Sequence, residues 1–216
     1  MTTRALRVLV PGLLLPVFMT HAGGWAIITV DDLPDYAVAG TPVSLSFMVR
    51  QHGEEPLEKL EPRIEAASGS SRFVTPARPG AGRGRYTASV TLPQAGNWTL
   101  TIRSGFGRSD LKLLPMAVVK PGTAVMTVTD ADRGERLFVA KGCVTCHVDA
   151  KIGPTLDGRR FEPTYLAGFL AKPRRINQSA PMVMPNLGLA QREIASLVAY
   201  LNADRQVGLR PGGDAR

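Results

Sequence analysis

The sequence predicts a two-domain protein, an all-β sandwich followed by an all-α domain, and three observations carry that prediction. Over residues 25–119 apolar and polar residues alternate; after Asp130 the apolar residues recur with a helical period; between the two lies the turn-forming run Lys120-Pro-Gly-Thr123. A chain of 216 residues has room for two domains, since domains most often run about 100–150 residues. Hydrophobic residues at 44% and charged residues at 20% exclude a chain disordered throughout and a polytopic membrane protein. Two cysteines are too few for a disulfide framework.

Residues 1–22 read as a targeting segment. Arg4 and Arg7 give a positive start, Val8 to Met19 is apolar but broken by Pro11, Gly12 and Pro16, and Thr20-His21-Ala22 places small residues at the −3 and −1 positions of a cleavage site. Cleavage after Ala22 is expected, which puts the rest of the chain in the periplasm or another extracytoplasmic space. The alternative is an uncleaved membrane anchor, because apolar character resumes at Trp25 to Val30.

The β half follows. Val43, Leu45, Phe47 and Val49 alternate with Ser44, Ser46, Met48 and Arg50; Tyr86, Ala88, Val90 and Leu92 alternate with Thr87, Ser89 and Thr91; Trp98, Leu100 and Ile102 repeat the pattern. A strand with one buried and one wet face requires this alternation. Turn signals at Gly40-Thr-Pro42, Gly53, Arg78 to Gly84 and Pro93 to Gly96 separate the runs. Seven strands are expected, near 25–31, 43–50, 61–67, 71–76, 84–92, 97–104 and 111–119, and that number in so short a stretch predicts an immunoglobulin-like sandwich. The run Gly40-Thr-Pro-Val-Ser-Leu-Ser-Phe47, then Val49-Arg-Gln-His-Gly53, then Gly84-Arg-Tyr86 leading to Leu92-Pro-Gln-Ala-Gly-Asn-Trp98, resembles the YtkA-like family of extracytoplasmic domains over 25–119. The resemblance implies kinship with copper-handling and oxidase-assembly modules. Met48 and His52 are the residues that could ligate copper there, although one thioether and one imidazole are fewer donors than copper sites usually gather.

A linker over 120–130 leads to the helical half, 131–203, and a tail, 204–216. Asp130 or Asp132 is expected to cap a helix through Arg133, Leu137 and Val139 that ends at Gly142. At the far end Ile194, Leu197, Val198 and Leu201 lie at i, i+3, i+4 and i+7, one apolar stripe on a helix over 189–203. Between these helices stands Cys143-Val-Thr-Cys146-His147, the attachment signal for haem c. Two thiols three positions apart can add to the two vinyl groups of one porphyrin and leave the next residue's imidazole under the iron. Rival chemistries fit less well: a redox dithiol belongs in a βαβ context, zinc needs four ligands, and a plain disulfide leaves His147 unexplained.

Further residues extend the motif. Gly134 and Phe138 precede it, Gly153-Pro154 and Met184-Pro185 follow it, and Glu193 to Leu201 ends in Ala199-Tyr-Leu201. With these, residues 131–203 resemble a class I cytochrome c. The resemblance implies one haem c held by thioethers from Cys143 and Cys146, with iron ligated by His147 and Met184. It also implies that the second His147 nitrogen donates to the Pro154 carbonyl. Met182 is the competing distal ligand. Gly134 would be the close-contact glycine where the first helix crosses the last, with Phe138 and Tyr200 packed around it. Tyr165, Leu166, Phe169 and Leu170 are expected as pocket wall, and at most one of Arg159, Arg160, Arg174 and Arg175 as a partner of a haem propionate, since arginine pairs more often form a solvated face. Ala190 stands where the family often has Thr or Ser, so Glu193 lacks a hydroxyl to cap against.

The charge of +8 is spread thinly: +2 over 1–22, eleven basic against nine acidic residues over 23–120, and thirteen against nine over 121–216. No lysine-rich run or aromatic-interleaved basic stripe occurs, which argues against dedicated nucleic-acid binding. The expected function is transfer of single electrons between redox protein partners, a donor and an acceptor among membrane respiratory components, with the sandwich as a docking module and without substrate turnover. The alternative is copper handling or oxidase assembly, with haem supplying reducing equivalents. Weak attraction to an acidic partner or an anionic membrane surface fits the residual positive charge.

Overall fold

The alternating runs of the first half pair into two sheets that face each other, which gives this half a sandwich-like, mostly β architecture. The computed structural model describes residues 24–124, 127–174 and 184–203. The expected leader over 1–22, Arg175, Met182 and the tail 204–216 lie outside the described residues. One sheet runs β1 (Ala26–Val30), β3 (Pro42–Gln51), β8 (Arg85–Thr91), β7 (Arg78–Pro79), with β4 (Glu55–Pro56) also on β3. The other runs β2 (Ala37–Val38), β11 (Met116–Val119), β9 (Gly96–Arg103), β5 (Arg63–Ser68), β6 (Ser71–Pro76), with β10 (Asp110–Lys112) on β9. The pairs β2, β4 and β7 are too short to show a period and were not expected.

The alternation buries one face of each long strand. Leu45, Phe47, Val49, Tyr86, Ala88 and Val90 from one sheet meet Ile64, Ala66, Trp98, Leu100 and Ile102 from the other. The two large aromatics keep their polar atoms paired: the Tyr86 hydroxyl donates to Leu57 O (2.9 Å), and Trp98 Nε1–H donates to Gln94 O (2.9 Å). The single strand expected over 111–119 is split. Leu113 N–H still donates to Leu100 O, but Met116 pairs with Trp98, so Leu114 and Pro115 oppose Thr99 alone. This is a β-bulge, placed where proline has no N–H to give the ladder.

The helical half has α1 (Asp130–Ala140), a π-turn (Thr145–Asp149), α2 (Pro163–Ala171) and α3 (Gln191–Leu201). The cap of α1 is Thr129 instead of Asp130 or Asp132; its hydroxyl oxygen accepts from Asp132 N–H (3.1 Å). Helix α1 crosses α3 at Gly134, where a Cβ would lie 2.0 Å from Ser196 O and 2.6 Å from Tyr200 Cβ. Only glycine allows that approach, and the Phe138 and Tyr200 rings pack beside it at 5.6 Å. On α3 the buried stripe is Ile194, Leu197 and Leu201, extended by Ser196 and Tyr200 against α1, while Val198 is half-buried.

All five residues of β1 are buried. Ala26, Ile28 and Val30 belong to the sandwich core, whereas Ile27 and Thr29 point the other way and meet the helical half. A Cβ at Gly142 would lie 2.6 Å from Ile27 Cγ2 and 2.7 Å from Ile28 O, and the Thr29 hydroxyl donates to Lys141 O (3.4 Å). A strand covered on both faces needs an unbroken apolar run, which accounts for Ala26 to Ile28 without a membrane.

Polar groups close the seam. Arg133 grips the Asp35 carboxylate through Nε (3.1 Å) and Nη2 (2.8 Å), and Arg136 donates to the carbonyls of Pro34 and Asp35. Lys141, 4% exposed, places its ammonium 2.6 Å from Glu193 Oε1 and 2.8 Å from Asp31 O. One lysine thereby joins the end of α1, the start of α3 and the loop after β1.

Two predictions follow from the seam. The hydrogen bonds from Arg133 lower the Asp35 pKa below its ordinary 3.8. Its contribution is therefore full above the unfolded pKa and lost as pH falls through the lower folded value. Asp35→Asn is expected to cost about 1 kcal/mol at pH 7, and urea titration should show the gap from wild type closing below pH 3.8. Lys141→Met strands Glu193 and should cost about 3 kcal/mol, measured as a lower denaturation midpoint, with partial recovery when Glu193→Gln is added.

Candidate functional site

Helix α1 ends because Gly142 takes a left-handed conformation (φ +78°) just past the C-cap Lys141. The chain then turns into Cys143 and Val144 and the π-turn, in which Ala150 N–H donates to Thr145 O (2.9 Å). The wider turn presents Cys146 and His147 from one short segment, and π-turns recur at functional sites for this reason. Both cysteines are free thiols.

His147 Nδ1 lies 2.8 Å from Pro154 O. A carbonyl oxygen only accepts, so Nδ1 carries the proton and Nε2 keeps its lone pair. Burial lowers the His147 pKa, opposed by the Pro154 bond, and the net shift keeps the imidazole neutral at pH 7. Gly153 makes the geometry possible: a Cβ there would stand 2.7 Å from His147 Nδ1, and its N–H donates to Cys146 O (2.9 Å). The Phe138 ring lies 6.4 Å from the imidazole. Burial, the largest cause, and the neighbouring Cys146 push the Cys143 thiol up to about 12, and burial raises Cys146 as well. Both are thiols, not thiolates, at neutral pH.

Met184 opens a segment, Met184–Ala190, without helix or strand, and is half-buried against the shared core. Arg50, Gly53 and Glu54 from the sandwich line one cavity of about 370 Å³ with Pro173, Met184, Pro185 and Asn186. Helix α3 then begins at Ala190. Glu193 reaches back to accept from Ala190 N–H (2.9 Å), half of a capping box, since alanine has no oxygen for the other half. Glu193 is instead shared with Lys141, a partner that the sequence does not advertise.

The other expected residues divide. Leu166 and Leu170 are buried, while Tyr165 is 46% exposed and stacks on Phe169 at 6.4 Å. Arg159, Arg160 and Arg174 are all exposed, and Arg160 donates to Asn202 O at the end of α3, a capping role. His52 occupies a left-handed turn position (φ +51°) with its ring 5.3 Å from that of Trp25, and Met48 is half-buried beside Thr29 in the ladder. Among the described residues no three His, Cys, Asp or Glu side chains gather as a metal site. Sequence reasoning missed Ile27, Thr29, Arg50 and Lys141, which carry no motif and matter only because the two halves touch.

The donor set suits haem c: two unpaired thiols, an imidazole whose free nitrogen is Nε2, and a thioether on a partly buried segment. Residues 129–201, about a third of the chain, match the family described as cytochrome C oxidase, cbb3-type, subunit III. The C-terminal helical region therefore matches a cytochrome c domain, a match that points to haem-based electron transfer. Among curated proteins no relative matches. Among solved structures the ZirS C-terminal domain is similar at 10% identity over 55% of this chain and 87% of that chain, with a TM-score of 0.35, too loose a likeness to assign a fold.

Gly153→Val should displace the imidazole from the Pro154 carbonyl. The expected result is a changed His147 ring nitrogen resonance in NMR and a lower thermal midpoint; an unchanged ring resonance would show that the loop yields instead.

Proposed function

We propose that this protein is an extracytoplasmic monohaem cytochrome c that passes single electrons between a protein donor and a protein acceptor. The observation that carries the reading is the 2.8 Å bond from His147 Nδ1 to Pro154 O directly after two free cysteines. Haem c, when bound, supplies reversible one-electron chemistry at iron. Cys143 and Cys146 would hold it covalently through thioethers. His147 would present Nε2 while Pro154 fixes its tautomer and plane. Met184 would supply the distal thioether, and two such ligands leave no position for a substrate, which is why the reading is a carrier and not an enzyme.

Among the described residues no helix is long and apolar enough to cross a membrane. The reading of an extracytoplasmic address rests on the apolar leader at 1–22 and on the attachment motif. The sandwich, of immunoglobulin-like and YtkA-like pattern, would present its outer face to a membrane respiratory partner while β1 holds the haem domain.

Full-length protein carrying haem should show a weak far-red iron–sulfur absorption that Met184→Ala abolishes without releasing the haem. Retention of that band in Met184→Ala moves the distal ligand to Met182. Cys146→Ser should leave at most one thioether by mass spectrometry of haem peptides. Ferrous wild-type protein that binds carbon monoxide readily at neutral pH would overturn the carrier reading.

A further inference from the structure

We infer that one corner of the sandwich, made by β1 and the β3–β4 hairpin turn, belongs to the haem site as a positioning element that holds the Met184 segment in place; this rests on the reading of Met184 as distal ligand. The corner touches both candidate ligand segments. On one side Gly53, buried and left-handed (φ +80°), brings the turn backbone against Pro185: a Cβ at Gly53 would lie 3.3 Å from Pro185 Cγ and 2.9 Å from Ile27 Cδ1. On the other side Ile27 fills the space that a Cβ at Gly142 would need, 2.6 Å from its Cγ2. A single isoleucine thus lies between the glycine before Cys143 and the turn that abuts the residue after Met184.

A polar chain runs parallel to that contact. Arg50 Nη2 donates to Thr29 Oγ1 (2.9 Å), and Thr29 donates to Lys141 O (3.4 Å). It links the wall of the cavity beside Met184 to the residue two before Cys143. The turn itself is well braced: His52 N–H donates to Trp25 O (3.1 Å), Glu54 N–H to Gln51 O (3.0 Å), and the His52 ring rests on Trp25.

Bracing matters because Met184–Ala190 has no helix or strand to hold it. Ordering free chain costs about 1–2 kcal/mol per residue, so a segment already seated against Gly53 delivers its thioether without that loss. Positive φ favours glycine, and a side chain at Gly53 would both strain the turn and push on Pro185. The population with the thioether detached should then rise, and with it the apparent affinity of ferrous protein for carbon monoxide, in proportion to the open fraction.

The experiment uses full-length protein with covalent haem and compares Gly53→Ala, Thr29→Val, Met184→Ala and, as a control on the far sheet, Val74→Ser, whose parent residue is 57% exposed. Gly53→Ala should weaken the far-red band and tighten carbon monoxide binding about tenfold, with thioether attachment intact and Val74→Ser at wild-type values. Thr29→Val, which removes one hydroxyl, should move both readouts in the same direction by less, and it carries the test if Gly53→Ala does not fold. Wild-type band and carbon monoxide affinity in the folded corner variants, with the band lost in Met184→Ala, overturn the inference and leave the ligand reading standing. A band retained in Met184→Ala overturns both.

Discussion

A lysine ammonium taken out of water has to be met by acceptors, and the placement of Lys141 organises much of this molecule around that requirement. Its partners are the Glu193 carboxylate at the start of α3 and the Asp31 carbonyl at the end of β1. Neither helix terminus could shift by much without leaving a buried charge partly unpaired, which is a costly state in a low-dielectric interior. Lys141 is also the last residue before Gly142 reverses the chain into the cysteine segment. The orientation from which Cys143, Cys146 and His147 start is therefore coupled to the sandwich and to α3 together.

The seam makes the two halves more interdependent than a tethered pair. Ile27 and Thr29 would face water in a free sandwich, and their burial is supplied by the helical half. In return the helical half gains a surface against which α1 can bury the stems of Arg133, Arg136 and Lys141, whose polar ends donate to Asp35, Pro34 and Asp31, although Arg136 Nε is buried without a partner. A small all-α domain with a short apolar stripe has little core of its own. Contact with a sandwich that is already well packed compensates for that shortage.

Much of the architecture was legible from period alone. Alternation marked the long strands because each has one wet face, and the spacing of Ile194, Leu197 and Leu201 marked α3. The bulge at Pro115 escaped because residues 111–119 read as one apolar run through the proline; only the ladder on β9 reveals the extra residue. Thr129 was passed over as the α1 cap in favour of nearby aspartates, which propensity ranks above threonine. In the site, the residues of the attachment motif were visible because their chemistry dictates their spacing. Arg50, Gly53 and Thr29 were invisible because their role depends on a contact between distant segments, and nothing in local composition signals it. Glu193 was read as lacking a hydroxyl to cap against, which holds, and its carboxylate serves the Ala190 N–H and Lys141 instead.

The same contacts alter what the positive charge can do. Arg85, Arg103, Arg133 and Lys141 are engaged with carboxylates inside or across the sheets and the seam, so they contribute little field at a distance. Over 151–174 of the helical half, Lys151, Arg159, Arg160, Lys172 and Arg174 are exposed, against Asp157 and Glu162. On the proposed reading a partner would sense this stretch first. Exposed charges of that density steer encounter more than they bind, and their effect is screened within about 8 Å at physiological salt. An electron carrier has to release its partner after each transfer, and weak, salt-sensitive attraction serves that cycle better than a tight interface would. On that reading the seam carries the strong, desolvated interactions that keep the protein in one piece, and the exposed charges are left for exchange.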